Sequence, residues 1–149
     1  MTLSPKLALL GLVVFSSALF ANPAGAELAK WDQTRVTEIA QQLTKACDAW
    51  WQAVLEQPGG PMGEGDDSGL VEKAQVLQEQ TRALAAHLAK GKGHDETRNM
   101  YRSMKETVDD TEVEARRTFP DEPTLDAWAK VADLLRQIAP YYDPKALDE

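Results

Sequence analysis

A single cysteine, Cys47, stands in this 149-residue chain. It excludes an intramolecular disulfide, a cysteine-rich zinc site and a Cys-x-x-Cys-His haem attachment. Histidine is nearly as scarce. His87 and His94 are the only two, and neither follows a Glu at three residues' distance, so the paired Glu-x-x-His pattern of di-iron helical proteins is missing. Positive charge is also short, with 16 Lys+Arg against 24 Asp+Glu and a formal charge of −8. Such a surface repels nucleic-acid phosphates and anionic lipid. It suits solubility, cations or a basic protein partner.

Long apolar runs are confined to one place. Lys6 precedes the uncharged stretch from Leu7 to Ala21, Asn22-Pro23 breaks it, and Ala24-Gly25-Ala26 supplies small residues before Glu27. This is the order of a secretory signal, so residues 1–26 are read as a cleaved signal peptide and 27–149 as the mature domain. The apolar stretch is short for a membrane span of about 20 residues. Removing Lys6 with the signal takes the formal charge from −8 to −9. The expectation is a periplasmic or secreted protein with no stable membrane anchor after cleavage.

Glycine and proline beyond residue 26 fall into four clusters: 58–69, 91–93, 120–123 and 140–144. Both residues disrupt helix interiors and serve turns, so the clusters predict loops. They leave segments of about 27–57, 70–90, 94–119 and 124–139. Apolar residues recur in them at three- and four-residue steps, the mark of one-sided helices. The first stripe is Val36, Ile39, Ala40, Leu43, Cys47, Trp50 and Val54; the second is Leu70, Ala74, Leu77, Thr81, Leu84 and Leu88. The third runs Met100, Met104, Val108, Thr111 and Ala115. The fourth runs Leu125, Trp128, Ala132, Leu135, Ala139 and Tyr142, widened by Val131, Leu134 and Ile138. The fold class that follows is all-α, an up-down-up-down antiparallel four-helix bundle.

Little in the chain reads as catalytic machinery. Asp67-Ser68-Gly69 superficially offers a serine, but the predicted topology puts both histidines at the opposite end, beyond the reach a base needs. The glycine-rich loop lacks the alternating oxygen ligands of a calcium loop. Cys47 lies on the first apolar stripe, which predicts a buried, inert thiol, with an intermolecular disulfide as the alternative. His87, His94 and Asp95 gather near the 91–93 turn, and imidazole with carboxylate would suit a divalent transition metal. Non-covalent haem b in the core is the other cofactor reading, although the first and fourth helices hold neither His nor Met. The string Thr97-Arg98-Asn99-Met100-Tyr101-Arg102 resembles the C-terminal-helix stretch of the cytochrome b562 family over six residues. Arg102 stands where that family has its haem histidine, so the resemblance brings no ligand with it.

The aromatic residues offer more. Trp50 and Trp51 are adjacent and so point about 100° apart on a helix; Trp50 is read as core and Trp51 as a cover near the 58–69 loop. Trp31, Trp51, Tyr141 and Tyr142 are candidate partner-binding anchors, since Trp and Tyr concentrate binding energy at interfaces. The sequence reading is therefore a non-enzymatic, exported, acidic helical protein acting by protein–protein contact, immunity-like or chaperone-like. Its alternative is a cofactor binder, with metal at the His87/His94 end or haem in the core.

Overall fold

The computed structural model describes residues 27–58, 68–118 and 120–147. The expected signal peptide, most of the glycine-rich loop, Phe119 and the last two residues lie outside this set. Four helices account for most of it: α1 (Gln33–Glu56), α2 (Ser68–Ala89), α3 (His94–Thr118) and α4 (Glu122–Ile138). Two short 3-10 turns follow, Ala139–Tyr141 and Pro144–Leu147. Among the described residues there is no strand.

Helix boundaries follow from identifiable caps. α1 starts at Gln33, six residues later than the sequence spacing suggests, because Asp32 is extended and its Oδ1 accepts the Arg35 N–H at 2.9 Å. An N-cap carboxylate of this kind satisfies one of the first-turn amides that have no partner inside the helix. α2 stops at Gly91, whose φ of +82° an L side chain rarely adopts. The Gly91 N–H donates to Leu88 O at 2.9 Å and the Lys92 N–H to His87 O at 3.1 Å, a Schellman closure. α4 opens on Asp121, whose Oδ1 accepts the Thr124 N–H at 3.0 Å, with Pro123 in the first turn, where a missing N–H loses nothing.

The core runs along three packed helix pairs: α1 on α2, α1 on α4, and α2 on α3. All seven residues of the α1 stripe are buried, and so are the six of α2. On α3 the buried line is Thr97, Tyr101, Met104, Val108 and Thr111. Buried threonines are unusual core material, yet each hydroxyl has a backbone acceptor: Thr97 on Gly93 O, Thr111 on Thr107 O, Thr81 on Gln78 O and Thr124 on Ala53 O. With its hydroxyl bonded in this way, threonine fills a valine-sized space without leaving a buried polar group unpaired. Polar bonds also fix which elements are neighbours. Gln33 Nε2 donates to Leu88 O and Lys92 O, while Asp48 accepts from Gln78 and Arg82.

α4 departs from expectation. Its buried line is Thr124, Val131 and Ile138, a seven-residue repeat made partly of the residues expected only to widen the stripe. Of the main expected stripe only Tyr142, beyond the helix end, is buried, while Leu125, Trp128, Ala132, Leu135 and Ala139 are half-buried or exposed. The physical reason is that α4 packs on α1 and makes no comparable packing with α3. One apolar line is therefore spent on α1; on the adjacent line Trp128, Leu135 and Ala139 pack partly against the core, and among the described residues its outer side borders an open seam toward α3.

Candidate functional site

Two features stand out: that seam, and an aromatic cluster at one end of it. The cluster starts from the extended run before α1, whose Ala29 N–H donates to Pro140 O at 2.8 Å. This bond brings Trp31 against the turn that follows α4. Trp31 meets His94, Tyr141 and Tyr142 edge-on, at ring-centroid distances of 5.8, 6.3 and 5.5 Å. Tyr142 in turn stacks on Tyr101 at 4.5 Å and on His94 at 5.6 Å. Edge-to-face and offset-stacked rings in this range attract beyond the area they bury.

The hydrogen bonds of the cluster are directional. Thr97 gives its one hydroxyl hydrogen to Gly93 O, so across the 2.8 Å contact the Tyr142 O–H donates to Thr97 Oγ1. Burial raises the Tyr142 hydroxyl above its ordinary range, and burial with the nearby Asp143 carboxylate pushes Tyr101 up to about 12. Both phenols thus stay neutral through the physiological range. Tyr142→Phe keeps the stacking and deletes the donor. The expected loss is about 1 kcal/mol, read as a lowered thermal midpoint with unchanged far-UV circular dichroism.

Three of the four aromatic anchor candidates therefore lie in or beside this cluster. Tyr142 is buried, Trp31 and Tyr141 are half-buried, and their rings are occupied with one another. The fourth, Trp51, is half-buried on α1, with an indole N–H that is buried and has no acceptor among the described residues.

Of the metal candidates, His94 opens α3 and His87 lies exposed on the last turn of α2. His94 Nδ1 lies 2.8 Å from Asp95 Oδ1, and its Nε2 is buried without a partner among the described residues. The ring is held between Trp31 and Tyr142. Among the described residues no group of three or more His, Cys, Asp or Glu side chains gathers as a metal cage. Glu96, one turn into α3, takes a different role: its carboxylate accepts from Lys92 Nζ and from the Gly93 N–H, both at 2.9 Å, and these donors hold it below the usual carboxylate range.

The seam between α3 and α4 contains two recesses that share Glu112. The first, of about 670 Å³, is floored by Tyr101, Val108, Ala132, Leu135 and Ala139. The second, of about 490 Å³, is floored by Ala115, Pro120, Leu125 and Trp128. Leu125 is 51% exposed there. Around the two recesses stand the cations Lys105, Arg116, Arg136 and Lys145 and the acids Asp109, Glu112 and Asp143. Lys105 pairs with Asp109 at 3.3 Å, and Arg136 with Asp133 at 2.6 Å.

Sequence reasoning missed this seam as a site. The available signal was the fourth helix, whose apolar residues form two adjacent lines where one suffices for a helix packed on one neighbour. Compared with known proteins, the chain matches no family model, no curated sequence and no solved structure.

Proposed function

We propose that this chain is an exported, non-enzymatic protein that acts by protein–protein contact, with the open α3–α4 seam as its docking surface. The observation that carries this reading is the second apolar line of α4, only half-buried against the core and 51% exposed at Leu125, which borders α3 across a seam left open among the described residues. A groove lined at i, i+3 and i+4 positions on two helices is the kind of surface that receives an apolar helix face. The scaffold in this reading is an up-down-up-down antiparallel bundle. Its support lies in the meeting of the start of α1 with the end of α2, through Gln33 and Leu88, and of the end of α1 with the start of α4, through Ala53 and Thr124. On the α2–α3 side, Lys73 pairs with Asp110 and Gln80 bonds Ser103. Export rests on the signal-like residues 1–26, and no described helix is long and apolar enough to cross a membrane.

Capture from an extract of exported proteins tests the docking surface. Wild-type chain should retain a partner that Ala132→Arg, which fills the seam floor, loses by about tenfold or more. Equal retention by the two would overturn the seam as the contact surface.

A further inference from the structure

We propose that the occupant of the α3–α4 seam is a second copy of this chain, the two seams facing each other about a two-fold axis. The inference rests on the reading of the seam as a docking surface and adds the identity of what docks there.

Charge distribution selects the occupant. The whole chain carries −8, so two copies repel one another over most approaches. The seam is the exception, with four cations against three acids around an apolar floor. A strongly basic partner would gain little from a border already supplied with four cations. A second copy brings the same near-balanced mixture, with Lys105 and Arg136 already paired inside their own chain, so the seam is where two acidic chains meet with least repulsion. Shape agrees with this choice. Two recesses joined at Glu112 make an elongated surface along α3 and α4, which fits helices laid against helices better than a compact ligand. A two-fold contact is self-complementary, so the exposed Leu125 and the half-buried Trp128 count twice in one interface.

This occupant carries an unusual salt dependence. Salt screens the repulsion between the two acidic bodies, while the apolar seam contact is insensitive to screening. Self-association should therefore tighten as salt rises, opposite to the binding of a basic partner.

The test is the mass of the processed, tag-free chain by sedimentation equilibrium over a wide concentration range, at low salt and at about 0.5 M salt. The expected result is a reversible dimer that tightens in salt, with Leu125→Glu raising its dissociation constant by about tenfold or more. Leu125 is 51% exposed, so that variant should keep the wild-type circular dichroism, and its melting midpoint should match wild type at concentrations where both are monomeric. Cross-linking supplies the geometry. Cys47 is 0% exposed and silent, so Ala132→Cys on the seam floor should give an oxidised dimer, and Ala86→Cys on the exposed side of α2 should not.

A chain that remains monomeric in both salts overturns the proposal. So does a dimer that joins through Ala86→Cys but not through Ala132→Cys. A monomeric chain that still captures a different protein through the seam overturns the second-copy assignment and leaves the docking reading standing. Absence of both self-association and capture overturns the two together.

Discussion

Trp50→Ala should destabilise the protein by about 3–5 kcal/mol, a large share of the 5–15 kcal/mol that holds a domain of this size together. Trp50 is 1% exposed on α1, and its ring centroid lies 4.7 Å from that of Trp128 on α4, tilted by 53°. It is among the largest of the fully buried side chains, so its removal forfeits the burial of a whole indole and leaves a cavity the helices only partly fill. The position of α4 magnifies the effect. The main packing of α4 is on α1, with none comparable on α3, so loosening the α1–α4 contact leaves it without a second neighbour of equal weight to retain it. Urea unfolding followed by circular dichroism should show a much lower midpoint, together with a reduced slope if α4 detaches ahead of the rest. Trp128→Ala should cost less, because Trp128 is only half-buried. A loss under about 1 kcal/mol for Trp50→Ala would mean that the two tryptophans do not hold the helices together.

The contrast between α1 and α4 explains how far the sequence could be read. In α1 and α2 each apolar stripe is one line wide, and every residue on it is buried. Periodicity alone suffices there, because the helix has only one way to hide its apolar side. On α4 the apolar residues form two neighbouring lines, and their spacing is the same whether Leu125–Ala139 or Thr124–Ile138 faces inward. Which line is buried depends on where α1 and α3 sit, a tertiary fact that no local pattern holds. Thr97 and Tyr101 escaped the expected α3 stripe for a related reason: their burial depends on a distant partner, Tyr142, reached across the contact at 2.8 Å and the stack at 4.5 Å. The start of α1 was legible in principle, since Asp32 precedes a helical run as N-caps do. The aromatic cluster was not, because it requires the chain before α1 to fold back on Pro140, a pairing 111 residues apart in sequence.

Alkaline pH should unfold the protein, beginning above about pH 9, and Cys47 should set where the loss begins. Burial pushes the Cys47 thiol from 9.0 to about 12, opposed by the Thr81 hydroxyl and reinforced by the Asp48 carboxylate. Burial likewise holds Tyr101 at about 12 against an ordinary value of 10.0. In the unfolded chain both groups ionise at their ordinary values. Below pH 9 both are protonated in either state, and their contribution to stability is complete. As pH climbs from 9 towards 12 the unfolded chain releases protons that the native state retains, so the equilibrium shifts to the unfolded side. Three pH units of such imbalance at one buried thiol amount to about 4 kcal/mol by pH 12, and the phenol adds to it. Urea midpoints should be flat from pH 7 to 9 and fall steeply above that. In Cys47→Ala the fall should begin about one unit higher, where tyrosine ionisation starts in the unfolded chain. The same burial predicts that a thiol reagent at pH 8 labels Cys47 only after unfolding. A midpoint unchanged between pH 8 and 11, or rapid labelling of the native protein, would show that Cys47 is open to water and that the interface between α1 and α2 is looser than its 0% exposure describes.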